Sequence, residues 1–379
     1  MTTFSQFALD EAILKSLDKM GYKEPSPIQL HAIPPILEGK DLIGLAQTGS
    51  GKTAACAIPI CQIVDTTVPF VQALILVPTR ELAVQYATET QKVGKGKGVS
   101  VFAMLGGESA DLQRSKLAHG VHVLTATPGR LIDFIYSRSI DLTHVKTIIL
   151  DEADEMLSMG FHDDLDFIIQ CLVQKHQTLL FSATMPKQIT EIAKKYMRDP
   201  VEVVLNNVQT GPSLLEHHFM HCPHYHRDQA LIKLIGDEKP HQAIVFCHSR
   251  HQVEKVCQVL KKEYDGVDFL HAGLTQDVRS IVTNKFRSGR VRILVATDIA
   301  ARGLDFSNVT HVFIYELSND PEVYVHRSGR TGRFNKAGKV ITLVTQRELH
   351  KLPQITKLIK VEPKWIGEPP EQPRSRQSS

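Results

Sequence analysis

Two tandem α/β domains, each a doubly wound parallel sheet, are what this sequence predicts, and three observations carry the prediction. Short β-rich apolar runs alternate with segments of helical period along most of the chain, the rhythm of parallel strands returned by helices on both faces. That rhythm stops at "NNVQTGPS" and restarts at "QAIVFC". With 379 residues the chain also exceeds what one core usually serves.

In the first half the expected strands are "DLIGLA", "ALILV", "SVFAML", "VHVLTA", "TIIL" and "TLLFSA", with helices such as "DDLDFIIQCLV" between them. In the second half they are "QAIVFC", "VDFLHA", "VRILVAT", "HVFIYE" and "KVITLV", separated by helices such as "HQVEKVCQVLKK". The segment 207–213, rich in turn formers and poor in apolar residues, reads as a linker between a domain at 1–206 and one at 214–365. Residues 366–379 combine Pro, Gln, Ser and Arg with almost nothing to bury and read as a disordered tail. No apolar stretch approaches the roughly 20 residues of a membrane helix. The N-terminus carries acidic residues and no small-residue cleavage site, and the six cysteines show no C-x-x-C spacing. A reduced, cytoplasmic protein without membrane partners is expected. The net charge of +3 is too small to announce a nucleic-acid partner, which must be argued from local motifs.

Nearly every unusual polar cluster follows directly on an expected strand, and ligands of open α/β sheets bind outside the carboxyl ends of strands. "AQTGSGKT", residues 46–53, leads from a strand into a helix: Gly49 and Gly51 let backbone N–H groups turn toward an anion, Lys52 reaches its phosphates, and the Thr53 hydroxyl suits Mg²⁺. An ordinary glycine turn does not account for Gly-Lys-Thr in that position. Asp151, at the end of "TIIL", is the carboxylate such a loop needs for its metal, through a water shell. Glu152, next along, is placed to polarise the attacking water. Taken alone, "DEAD" at 151–154 reads as a solvated helix start; the upstream loop favours catalysis.

The motifs "GYKEPSPIQ", "AQTGSGKT", "PTRELA", "GG", "TPGR", "DEAD", "SAT", "ATDIAARGLD" and "HRSGRTGR" occur in this order. Together they resemble the DEAD-box ATP-dependent RNA helicases, from Phe4 to about residue 345. The resemblance implies two RecA-like domains, ATP with Mg²⁺, and RNA-stimulated hydrolysis. It places Tyr22 and Gln29, within the motif at 4–30, on the adenine. Without it, Gln29 reads as a satisfied amide at a helix start. Ala46, Gln47, Thr48, Gly49, Ser50, Gly51, Lys52 and Thr53 would hold the phosphates, and Gly303 and Asp305 the ribose. Arg330 and Arg333 would be fingers on the γ-phosphate, worth about 10³ to 10⁵ in rate. Asp154, Ser182, Thr184 and His326 would couple nucleotide to RNA.

For RNA the resemblance implies Thr79, Arg80, Gly106, Gly107, Thr127 and Arg130 in the first domain. Gln276, Arg279 and Thr297 are their counterparts in the second. Hydroxyls, backbone amides and arginines read sugar and phosphate, so single-stranded or partly duplex RNA is expected to bind without sequence preference. Each position alone could equally be a loop cap or surface ion pair. The mechanism implied is a clamp in which ATP and RNA jointly favour closure. Glu316 and Ser318, with "KVEPKW", resemble the bacterial ribosomal-RNA helicases of the DbpA kind. That subgroup's further RNA-recognition domain is expected to be absent, leaving substrate choice relaxed or dependent on protein cofactors. Ribosome assembly or RNA turnover is the expected setting. The rivals are a DNA helicase, a non-processive RNA clamp with little unwinding, and a protein-remodelling ATPase. Finally, "EHHFMHCPHYHRD" crowds His217, His218, His221, Cys222, His224 and His226. An edge strand, whose alternation divides the histidines between faces, is preferred there to zinc.

Overall fold

The computed structural model describes residues 3–46, 49–205, 215–301, 308–332 and 337–370. The chain divides into two units, Met1–Val208 and Gln209–Ser379. The expected linker at 207–213 and residues 371–379 of the expected tail lie outside the described residues.

In the first unit seven strands pair in parallel: β1 (Leu42–Leu45), β2 (Ala73–Leu76), β3 (Val101–Met104), β4 (Val123–Ala126), β5 (Thr147–Leu150), β6 (Gln177–Ser182) and β7 (Val201–Val204). Their order across the sheet is β3-β4-β2-β5-β6-β1-β7. The second unit holds β8 (Leu215–His221), β9 (Ala243–Phe246), β10 (Val267–Leu270), β11 (Ile293–Ala296), β12 (His311–Ile314), β13 (Gly338–Val344) and β14 (Lys364–Trp365), also all parallel. Their order is β10-β11-β9-β12-β13-β8-β14, the first sheet's order with seven added to each label.

Successive residues of each strand feed opposite faces, as the two-residue period requires. Leu42, Ile75, Ile149 and Phe181 join one core of the first unit, while Ile43, Leu74, Ile148 and Leu150 join the other. The second sheet separates Ile244, Leu294 and Val312 from Val245, Val295 and Phe313 in the same way. Gly44 of β1 lies opposite Phe181 of β6, where a Cβ would run into the ring. Asp41 ties the sheet's lower corner: its carboxylate accepts from Thr178 N–H at 2.8 Å and Arg198 N–H at 2.6 Å. Among the described residues no helix is long and apolar enough to cross a membrane.

Two strands escape the sequence reading. β7 buries only Val203 of its four residues, and β14 has two residues, so neither shows a sustained apolar run. The segment expected as an edge strand is corrected: β8 pairs with β13 over seven positions and carries β14 on its other side. Its alternation does divide the histidines. His217 is buried, with Nδ1 2.9 Å from the Tyr324 hydroxyl, while His218 faces Glu216 at 3.2 Å. Cys222 enters the core, and His224–His226 form an exposed turn. The Trp365 ring lies 6.0 Å from that of the fully buried Phe219, and Ile366 N–H donates to the Phe219 carbonyl at 2.8 Å. Lys364 and Trp365, the last residues of the expected second domain, thus finish the sheet, and Ile366, the first of the expected tail, is tied to it. Trp365→Ala is expected to cost the second unit about 1 to 3 kcal/mol, read as a lower denaturant midpoint with the first unit's transition unchanged.

Candidate nucleotide and nucleic-acid site

Parallel pairing sends all strand carboxyl ends of the first unit to one edge, and the candidate residues line it in strand order. Gly106–Gly107 follow β3, Thr127–Arg130 follow β4 and Thr79–Arg80 follow β2. Asp151–Asp154 come next after β5, then Ser182–Thr184 at β6, then the loop 46–51 after β1. Groups suited to sugar and phosphate therefore occupy one half of the edge, and groups suited to a nucleotide the other.

Gly49 and Gly51 have φ of +86° and +98°, a region glycine enters without penalty. A Cβ on Gly51 would stand 2.7 Å from Gln29 Nε2 and 2.8 Å from Ser26 Oγ. Helix Lys52–Ile63 begins directly after it and aims its N-terminus at the loop. Lys52 is buried; its ammonium donates to the Ala46 carbonyl at 2.9 Å and stands 3.9 Å from Asp151 Oδ1. Thr53 is half-buried at the helix's second position. The Ser50 hydroxyl is buried and makes no hydrogen bond among the described residues. Gln47 and Thr48 lie outside them.

Both ends of the Gln29 amide are engaged: Oε1 accepts from Ser26 N–H at 2.9 Å and Nε2 donates to the Gly51 carbonyl at 3.2 Å. One N–H and one lone pair remain for another partner. Tyr22 donates to Glu89 at 2.8 Å and meets the Phe4 ring edge-on at 6.0 Å.

Asp151 continues β5: its N–H donates to Leu76 O at 3.0 Å and its Oδ1 accepts from Glu152 N–H at 2.8 Å. Burial pushes its carboxyl up to about 6, with Lys52 opposing and Glu152 reinforcing the rise. Glu152 is buried with φ of +53°, a left-handed conformation unusual for a side chain of its size. Asp154 turns away from Lys52. Its Oδ2 accepts from Ala183 N–H at 3.2 Å and from the Thr184 N–H and hydroxyl, each at 2.9 Å. The Ser182 hydroxyl is buried without a partner among the described residues.

On the other half, Thr79 caps helix Arg80–Gly94 by accepting from Leu82 N–H at 3.2 Å. The Arg80 guanidinium lies over Gly106 and Gly107, where added Cβ atoms would approach it to 3.0 and 2.9 Å. Arg130 donates to the Glu108 carbonyl at 2.8 Å and stacks 4.9 Å from the Phe134 centroid. The Thr127 hydroxyl is spent on no cap.

In the second unit Arg327 is structural: it forks onto Asp298 at 2.6 and 2.9 Å and donates to Glu316 O at 2.6 Å. Arg330 is buried beside it, donating to His326 O at 3.3 Å, and with Arg327, His326, Asp298 and Phe246 lines a small pocket. Thr297 is buried after β11, and half-buried Arg279 lies on helix Gln276–Arg287 after β10. Gly303, Asp305, Arg333 and the Gln276 side chain lie outside the described residues.

Residues 26–192 match the DEAD/DEAH box helicase family and residues 226–335 the helicase conserved C-terminal domain. The ATP-dependent RNA helicase CshA of Listeria monocytogenes is 45% identical over 92% of this chain and 67% of its own length. The chain belongs to the DEAD-box ATP-dependent RNA helicases. Another CshA relative, from Geobacillus kaustophilus, is 42% identical over 95% of this helicase and 77% of its own length. Among solved structures, S. cerevisiae Dbp5 bound to RNA and ADP BeF3 superposes with TM-score 0.88 at 28% identity, over 97% of this chain and 96% of that one. Mss116p bound to ssRNA and AMP-PNP gives TM-score 0.84 at 29% identity, over 97% and 79%.

Three contributors to this helicase's site were not singled out from sequence. Ser26 holds the loop by donating its hydroxyl to Ser50 O at 2.9 Å, and the Ser-x-x-Gln spacing of a capping box could have found it. Glu89 orients Tyr22 from 67 residues away. Lys97 donates to the Cys61 and Val64 carbonyls, each at 3.0 Å, and so closes the C-terminal end of the loop's helix. No local pattern announces these two. Asp154 Oδ1 also accepts from Glu155 N–H at 3.1 Å, so Asp154→Asn removes the charge and sets an NH₂ against either that N–H or the loop donors. It is expected to cost the first unit about 1 to 3 kcal/mol, measured by denaturant unfolding; an unchanged midpoint refutes the anchoring role.

Proposed function

We propose that this chain is an RNA-stimulated ATPase that locally unwinds or remodels RNA duplexes and RNA–protein complexes. The observation that carries the reading is the shared edge of the first sheet. There the buried Lys52 and Asp151 lie along the same row of loops as Arg80 and Arg130, so ATP and an RNA backbone have a common frame. The relatives' names and the RNA-bound neighbours support it.

The donor set fits a nucleotide phosphate with Mg²⁺. Gly51 leaves no room for a side chain, Ser50 offers a buried hydroxyl, and Thr53 with Asp151 makes a hard-oxygen set of the kind Mg²⁺ takes. When bound, Mg²⁺ neutralises charge developing on the phosphates. Lys52 supplies a fixed positive charge to the phosphates, in a place where little water screens it. Glu152 orients the attacking water and accepts its proton. Arg330 and Arg333 act as γ-phosphate fingers, and Gly303 with Asp305 serves the ribose.

Thr79, Arg80, Gly107, Thr127, Arg130, Gln276, Arg279 and Thr297 hold RNA through sugar and phosphate. Asp154, through its bonds to the loop after Ser182, carries the state of the nucleotide to that surface, with His326 serving the second unit. The domain bounds 1–206 and 214–365, a cytoplasmic setting and a role in ribosome assembly or RNA turnover complete the reading.

Glu152→Gln and Arg330→Ala are each expected to lower ATP turnover by about 10² or more while leaving nucleotide affinity near that of the parent. Phosphate release at a near-normal rate by either variant sinks its assignment. Arg80→Ala is expected to weaken binding of single-stranded RNA about equally for unrelated sequences and to flatten the salt dependence by about one phosphate contact. ATPase stimulation by DNA as strong as by RNA would point to the other helicase class.

A further inference from the structure

The loop between β10 and helix Gln276–Arg287 is anchored by a histidine that none of the motifs uses. Ala272, Gly273 and Thr275 of that loop are exposed, whereas His271, directly after β10, is buried. Its ring is held at both nitrogens: Gly273 N–H donates to Nδ1 at 3.1 Å, and Nε2 stands 2.9 Å from Glu254 Oε1 on helix Arg250–Leu260. Gly273 can donate only to a bare ring nitrogen, so the proton lies on Nε2 and is given to Glu254. The carboxylate thus sets the tautomer that leaves Nδ1 an acceptor. The Phe269 ring backs the imidazole at 5.3 Å and 28°. The Arg250 guanidinium leans over Gly273, where an added Cβ would come within 3.3 Å of Nη1 and 3.1 Å of His271 Nδ1.

What the histidine holds is the start of the next helix. Leu274 N–H donates to the His271 carbonyl at 3.2 Å, and Arg279 N–H to the Thr275 carbonyl at 3.0 Å. The Thr275 side chain makes no capping bond, so the entry into the helix is held from behind, through His271, instead of by a cap. On the other flank the Leu270 carbonyl accepts from Thr297 N–H at 3.2 Å. His271 therefore stands in the chain between residues read as RNA contacts and, being buried, touches no strand itself.

We infer that His271 is a positioning residue for RNA: by accepting from Gly273 at Nδ1, with Glu254 holding its tautomer, it sets the loop from which the helix carrying Gln276 and Arg279 starts. The inference rests on the reading of those two residues as RNA contacts. Glu254 is half-exposed and Gly273 exposed. Water can satisfy both when the ring nitrogens are removed, so the loss falls on placement more than on stability.

The test is the affinity of the full chain for a fluorescent single-stranded oligouridylate in AMP-PNP and Mg²⁺, beside its affinity for AMP-PNP without RNA. His271→Phe keeps a buried ring and removes both nitrogens. It is expected to bind the oligonucleotide about three- to tenfold more weakly, with AMP-PNP affinity and melting temperature at parent values. His271→Asn, whose Oδ1 replaces the Nδ1 acceptor, is expected to stay within about twofold of the parent. His271→Gln reaches Glu254 but offers Gly273 no acceptor, and is expected to lose as much as His271→Phe. Glu254→Ala is expected to weaken RNA binding in the parent and to change nothing in His271→Asn, which has no tautomer to set. In a background of Gln276→Ala with Arg279→Ala, His271→Phe is expected to add no further loss. Full RNA affinity in His271→Phe, equal affinity in the Asn and Gln variants, a loss shared by AMP-PNP, or an undiminished loss in the doubly substituted background overturns the inference and leaves the RNA reading intact. Full RNA affinity in the double substitution alone overturns the RNA reading of this helix, and the inference with it.

Discussion

Parallel strand pairing is the constraint on which both units depend. A parallel ladder cannot be closed by a tight turn, so each strand is returned by a crossover that covers a face of the sheet and brings the chain back to the same starting end. Both faces are then lost to solvent: Ile148 and Ile149, neighbours on β5, are each fully buried in different cores. Polar chemistry is left only the ends of the strands. The carboxyl end is the one where helices begin, with N–H groups free to meet anions. The crowding of Asp151, Glu152 and Asp154 follows from where β5 stops.

Crowded charge at a buried edge stands only if each group has an assigned partner. Asp151 faces Lys52, and Asp154 is saturated by the loop after β6. Arg327 is saturated by Asp298. This sorting separates groups held rigid from groups left with capacity. Among the described residues the hydroxyls of Ser50 and Ser182, both on the loops of the nucleotide half of the edge, make no hydrogen bond.

Much of this was legible in the sequence, because strand cores here are continuous apolar runs and the loop motifs sit directly behind them. "TIIL" coincides with β5, and each motif of the first unit's edge stands directly behind its strand. What escaped was of two physical kinds. β7 and β14 are too short, or too exposed, to print a period, and β14 takes the outer position that the sequence assigned to β8. Long-range partners print nothing either. Asp41 meets Arg198, and Lys97 meets the end of a helix some thirty residues earlier. Gln29 shows the limit from the other side. Its motif position was plain, but its amide turned out to hold the phosphate loop, so one residue serves as both strut and candidate base contact.

Glu152 carries a cost that nothing in its fold requires. Its left-handed backbone would suit glycine or asparagine, and holding a longer side chain there forfeits on the order of 1 to 2 kcal/mol. Stability alone would therefore select against the carboxylate at this turn. A laboratory search for heat-resistant forms of this chain would be drawn to position 152 among the first, and would gain robustness there by removing the carboxylate proposed to orient the attacking water. The position is a local debt against stability that the proposed use of the carboxylate would explain.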